Sequence, residues 1–166
     1  MKSLDLSLYR TVAFATHGLM AGDFSGIAEP ALVLTPPDTG TEQDDGLLTA
    51  SEVAQLTLNA DWVILSACNT ASADGTPGAE GLSGLARAFF YAGTRALLVS
   101  HWAVSSEAAV ALTTGAMNEL GQQPGIGRAE ALRRSMLSVM NDPSRPYLAH
   151  PFFWAPFVVV GEGASQ

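Results

Sequence analysis

The sequence predicts an α/β domain built on a mostly parallel sheet with helices on both faces. Its 166 residues fit one domain, which is long enough to bury a substantial core. Apolar residues make up 48% and charged residues 14% of the chain, a composition that excludes a disordered chain. Short apolar runs alternate with helical segments, as in sheets whose strands are covered on both faces.

The first half of the chain contains two predicted strands and one helix. Residues 11–15 form a short apolar run that ends at Thr16, His17 and Gly18, and this run predicts the first strand. Residues 31–34 predict a short peripheral strand that the prolines at 36 and 37 end. The sequence from Thr49 to Glu52 has the spacing of a capping box, which predicts a helix over residues 50–57.

The second half of the chain continues the alternation. Residues 61–65 predict a buried strand, and residues 70–78 have the small and polar composition of a loop. A helix over 82–91 is predicted to stop at Gly93. A third buried strand over 94–101, helices over 106–120 and 127–140, and a last strand over 157–160 follow.

Charge and composition exclude several classes of protein. The net charge is −8, from 16 acidic and 8 basic residues, so the chain lacks the basic stripe that nucleic-acid binding needs. No apolar run reaches the roughly 18 residues of a membrane span, and the N-terminus does not resemble a secretory signal. The single cysteine favours a reducing, cytoplasmic setting. One cysteine and three scattered histidines do not make a zinc site.

Two chemically active residues follow predicted strands. His17 comes after the first strand, and Cys68 comes after the strand over 61–65. If these strands are neighbours, both side chains lie at one edge of the sheet, where an imidazole can activate a thiol. Gly18 would let a backbone N–H approach a substrate oxygen closely. The residues alone leave open an inert core thiol and a structural histidine.

Six segments, taken in order, resemble the CHAT family of caspase-like cysteine peptidases, which are often fused to tetratricopeptide repeats. The resemblance extends from about residue 10 to residue 161. The segments are Ala15-Thr-His-Gly18, Asp45-Gly-Leu-Leu-Thr49, Val63-Ile-Leu-Ser-Ala-Cys-Asn-Thr70, Glu80-Gly-Leu-Ser-Gly-Leu-Ala-Arg-Ala-Phe-Phe-Tyr-Ala-Gly93, Ser100-His-Trp-Ala-Val104 and His150-Pro-Phe-Phe-Trp154.

This resemblance implies a caspase-like three-layer sandwich and a cysteine endopeptidase that cuts protein or peptide substrates with no cofactor or metal. His17 and Cys68 would be the catalytic dyad, and Gly18 with the backbone N–H of Cys68 would form the oxyanion hole. No third acid is identifiable. The same resemblance implies that the first two strands of the sheet are lacking, which would leave the His17 strand as an unpaired edge. We therefore expect one N-terminally truncated domain over residues 1–166, with a regulatory partner or a missing N-terminal or tetratricopeptide region. The alternative is a silent module for protein–protein interaction or half of a split assembly.

Candidate substrate-binding residues lie in two places. In the implied fold, Ser100, His101 and Trp102 would pair with the substrate backbone as an added strand. Trp102 is either a wall for a substrate side chain or a core anchor, and His101 replaces an expected aliphatic residue. Asp74 and Glu80 could attract a basic side chain, or be a solvated loop residue and a helix N-terminal charge. His150 is interpreted as structural.

Overall fold

The computed structural model describes residues 4–23, 28–41, 45–66 and 84–164. Seven strands and five α-helices lie within these ranges, together with 3₁₀ turns at Leu6–Leu8 and Pro146–Ala149. The strands are β1 (Thr11–Phe14), β2 (Gly18–Leu19), β3 (Ala31–Val33), β4 (Leu47–Thr49), β5 (Trp62–Leu65), β6 (Ala96–Ser100) and β7 (Phe157–Gly161). The helices are α1 (Ala50–Val53), α2 (Gly84–Tyr91), α3 (Ser106–Gln122), α4 (Arg128–Met140) and α5 (Pro151–Trp154).

Among the described residues, the main sheet has four strands in the order β1-β5-β6-β7. The strands β1, β5 and β6 run parallel, whereas β7 runs antiparallel to β6. The connection from β6 to β7 contains two successive long helices that pack on each other, α3 and α4. A pair of helices returns the chain to the edge it left, so β7 enters the sheet in the opposite direction. The predicted α/β class and mostly parallel sheet are confirmed.

Two apolar cores lie on the two faces of this sheet. Alternate residues of each central strand point to opposite faces. On one face, Val63 and Leu97 pack with Phe89 of α2. On the other face, Ile64 and Leu98 pack with α3 and α4. The sheet therefore lies between two helical layers, which is the predicted three-layer arrangement.

A second, antiparallel sheet in the order β2-β3-β4 was not predicted. Its strands have only two or three residues, too few to show an alternating pattern. The predicted strand over 31–34 is present as β3, which lies outside the main sheet and is the central strand of this small sheet. Ala31 and Leu32 are fully buried, and Leu32 joins the core on the α2 face.

The capping box of α1 is present, but the helix is shorter than the predicted 50–57. Thr49 Oγ1 accepts from the N–H of Glu52 at 3.4 Å, and a Glu52 oxygen accepts from the N–H of Thr49 at 2.9 Å. After α1 the hydrogen bonds tighten to three-residue spacing, since the N–H of Leu56 bonds to Val53 O. The N–H of Leu58 then bonds to Ala92 O after α2, which draws the chain towards β5. Within the described ranges, no helix combines the length and apolarity that a membrane crossing requires.

Candidate active site

The two strands that precede His17 and Cys68 are direct neighbours in the main sheet. Phe14, the last residue of β1, is in register with Leu65, the last residue of β5. The N–H of Ser66 donates to Phe14 O at 3.0 Å, so the pairing extends to the carboxyl ends of both strands. The chain therefore leaves both strands at one edge, where α/β sheets carry their sites. His17 lies three positions beyond Phe14 and is exposed.

The backbone around His17 is held by the small sheet. The N–H of Val33 in β3 donates to the carbonyl oxygen of His17 at 2.8 Å. The hydroxyl of Thr16 donates to the carbonyl oxygen of the same Val33. Both polar groups of the Val33 backbone therefore bind the two residues that lead into β2.

The amide of Gly18 is directed away from β3. Gly18 lies opposite Leu32 in the antiparallel ladder, directly after the pair formed by His17 and Val33. Antiparallel pairs alternate between those that exchange hydrogen bonds and those that do not. Gly18 and Leu32 form a pair of the second kind, so the Gly18 N–H points to the outer edge of β2. A donor at that edge can reach a ligand without breaking the ladder.

The segment Ser100–Trp102 lies at the carboxyl end of β6, beside β5 as predicted. Ser100 is fully buried, backbone included, so within this segment only His101 and Trp102 are exposed. The N–H of His101 donates to Pro156 O at 3.0 Å. Trp102 is 38% exposed, and its indole N–H lies 3.4 Å from Phe152 O. Trp102 is therefore not a core anchor.

Phe152, in the helix after His150, is a further residue of the candidate site that the sequence did not predict. His150 caps α5, because its Nδ1 accepts from the N–H of Phe152 at 3.2 Å, which agrees with a structural role. Phe152 is 48% exposed and lies next to Trp102 through its carbonyl oxygen. In the sequence, only its position within the His150–Trp154 segment could have indicated Phe152 as a site residue.

Three predicted site residues, Cys68, Asp74 and Glu80, lie outside the described residues. In the part of the chain that the structure describes, no three His, Cys, Asp or Glu side chains cluster closely enough to hold a metal ion.

An open groove of about 1200 Å³ lies beside this edge, between β1 on one side and α3 and α4 on the other. Ala13 and Ile64 line its floor, and Val110 and Met117 line one wall. Val110 is 61% exposed and Met117 is 40% exposed. These two residues are seven positions apart, so they lie on one face of α3.

Comparisons with known proteins agree with this architecture. A family model described as the CHAT domain matches residues 1–162. Among curated proteins, the mouse (Mus musculus) protein named Tetratricopeptide repeat protein 28 is 29% identical over an alignment of 161 residues that covers 88% of this chain. The chain spans only 6% of the length of that relative.

Proposed function

Because the chain belongs to the CHAT domain family, a caspase-like and peptidase-related family, we propose that it is a cysteine peptidase domain. His17 and Cys68 would form the dyad that hydrolyses peptide bonds in protein substrates. The sheet register carries this proposal. Phe14 and Leu65 are paired at the ends of adjacent parallel strands, and His17 and Cys68 each lie three positions beyond that pair. Equal offsets from one register pair favour contact between the two side chains.

The reaction proceeds by acyl transfer. The Cys68 thiolate attacks the peptide carbonyl, and the carbonyl π electrons move onto oxygen. The C–N bond breaks as protonated His17 gives its proton to the leaving amine. Neutral His17 then takes a proton from water, whose oxygen attacks the thioester and releases the carboxylic acid and the Cys68 thiolate. The amides of Gly18 and Cys68 would donate to the oxyanion.

Substrate would bind beside the end of β6. An extended peptide pairing with the backbone of residues 100–102 would place a side chain near Trp102 and Phe152, two exposed aromatic residues. Asp74 and Glu80 are proposed as the groups that would favour a basic substrate side chain. Caspase-like recognition of aspartate is not supported, because the 100–104 segment contains no arginine.

The test is the pH dependence of Cys68 alkylation by iodoacetamide in the native chain and in His17→Ala. A thiol paired with imidazolium reacts well below the ordinary thiol pKa of about 8.5. We expect a low apparent pKa in the native chain that rises in His17→Ala. The matched control is His150→Ala, an exposed histidine that caps α5, which should behave as the native chain. Equal curves for all three proteins would refute the dyad.

The second candidate function is protein interaction without turnover, and the groove favours it. Adjacent packed helices lie about 10 Å apart, and neighbouring strands lie about 4.8 Å apart. A helix placed beside α3 would therefore lie over β1 and over one further strand, added at the edge of β1 that no described strand occupies. The groove fits a strand-and-helix segment, as in a split assembly. Self-association that depends on Met117, together with equal Cys68 alkylation curves for the native chain and His17→Ala, would support this candidate.

The relative named for tetratricopeptide repeats suggests where regulation originates. Because that protein is far longer than the region it shares with this chain, we propose a tetratricopeptide-repeat region as the regulatory partner. The single cysteine favours the cytoplasm as the site of action, since reducing compartments preserve free thiols.

A further inference from the structure

We infer that Thr16 is a positioning residue for His17, an inference that rests on the proposed dyad. The Thr16 side chain is half-buried, and its hydroxyl donates to the carbonyl oxygen of Val33. The N–H of that residue donates to His17 O at 2.8 Å. Thr16 and His17 are thus bound, through different atoms, to the two ends of one β3 residue.

This double attachment restricts the backbone that carries the imidazole. A single hydrogen bond from Val33 to His17 would hold one carbonyl oxygen and leave the peptide plane before it free to rotate. The Thr16 hydroxyl bond holds the preceding residue against the same strand. The Cα–Cβ bond of His17 then has one direction relative to the end of β1. An imidazole that activates a thiol needs such a fixed direction, because proton transfer requires a short and aligned contact.

The support beneath this attachment is rigid. The neighbours of Val33 in β3, Ala31 and Leu32, are fully buried. β3 also pairs with β4 along its whole length, through Ala31, Leu32 and Val33. The capping box of α1 follows β4 directly. Thr16 therefore connects the His17 segment to the interior of the molecule and not to a surface loop.

Carboxylates on the neighbouring segments have their own partners. Asp23 accepts from the N–H of Met20 at 2.7 Å, and Asp45 accepts from the N–H of Leu47 at 2.9 Å. Glu29 accepts from the N–H and the hydroxyl of Ser51. Replacing Thr16 with valine changes no charge, so an altered reactivity of Cys68 in that variant reports the direction of His17.

The experiment compares Cys68 alkylation rates near pH 6.5 and near pH 9, below and above the ordinary thiol pKa. The rate near pH 6.5 is divided by the rate near pH 9, and this ratio cancels differences in access to the thiol. We expect Thr16→Val to lower this ratio by about two- to tenfold, the effect of losing one hydrogen bond. Thr16→Ser keeps the hydroxyl and should restore the native ratio.

The matched control is Thr113→Val, a half-buried threonine whose hydroxyl donates to Ala109 O at 2.7 Å within α3. It should leave the ratio unchanged. A native ratio equal to that of His17→Ala would refute the dyad itself. A native ratio above that of His17→Ala, with Thr16→Val equal to the native chain, would refute the role of Thr16 and leave the dyad standing. A lower ratio in Thr16→Val that Thr16→Ser does not restore would also refute the role of Thr16.

Discussion

Asp61 shows how one side chain joins three strands. It lies at the amino end of β5 and bonds to Arg10, directly before β1, and to Arg95, directly before β6. Partial burial acts to raise the pKa of Asp61, but the hydrogen bonds and charges of Arg10 and Arg95 outweigh it and lower the pKa. The ionised carboxylate therefore stabilises the fold at the edge opposite the candidate site.

We expect Asp61→Asn to reduce the free energy of unfolding at neutral pH by about 1–2 kcal/mol, because charge-assisted hydrogen bonds are lost. A carboxylate whose pKa is lowered by folding contributes fully above its unfolded pKa of about 3.9. That contribution is lost as the pH falls through the lower folded value. The difference from the native chain should therefore shrink below about pH 4. Urea melts of both proteins at several pH values would measure this difference in the free energy of unfolding.

The control is Asp38→Asn, an exposed carboxylate in the loop after β3. It should change stability little at any pH. A difference between Asp61→Asn and the native chain that persists unchanged at pH 2–3 would contradict this account.

Gly93 shows how an element ends where tertiary contacts require it. The predicted stop of α2 is confirmed, since the helix ends at Tyr91 and Gly93 has a φ of 102°. A Cβ at this position would also collide with the carbonyl oxygen of Leu58. The N–H of Leu58 in turn bonds to Ala92 O at 2.7 Å. The end of α2 and the segment that leads into β5 are therefore packed as one unit.

We expect Gly93→Ala to destabilise the chain by more than about 2 kcal/mol, because left-handed backbone strain adds to the collision. Gly121→Ala is the matched control, since Gly121 lies in α3 and a methyl group added there would meet nothing within 4 Å. That change should be neutral or stabilise by up to about 1 kcal/mol. Thermal melts of both variants would measure these changes in stability. Equal melting temperatures for Gly93→Ala and Gly121→Ala would contradict the role of Gly93.

At the scale of the whole molecule, the two faces of the sheet are covered unequally. The face towards α2 is packed as far as β1, where Phe14 is buried against Phe89 with ring centroids 5.4 Å apart. On the other face, α3 and α4 cover the sheet only as far as β5, and Ala13 of β1 is exposed. The groove beside the terminal strand of the described sheet has a mixed lining, and its exposed apolar side chains, Val110 and Met117, favour association.

We expect the purified chain to self-associate through this groove, and Met117→Glu to reduce that association several-fold, because a carboxylate opposes burial of the face. Leu137→Glu is a close control, since Leu137 is also 40% exposed on a helix but does not line the groove. Sedimentation velocity over a range of concentrations would measure both. A monomeric native chain with a cooperative melt, or equal effects of the two substitutions, would overturn this expectation.

The sequence by itself determined the fold class, the main strands and the long helices. The reason is that burial of a strand or of one helix face leaves a local pattern, as in residues 61–65 and 106–120. It also indicated His17, Gly18 and Cys68 as candidate site residues, because each follows a strand pattern closely, and their roles remain a proposal. The order of six segments indicated the family that the match over residues 1–162 confirms.

Only the tertiary structure decided the antiparallel direction of β7, the small sheet and the attachment of Thr16 and His17 to Val33. These features depend on contacts between residues far apart in the chain. β2 and β3 contain two and three residues, so they are stabilised by pairing and by the buried side chain of Leu32. Their own sequences contain too little pattern to predict them, and the position of the imidazole depends on that pairing.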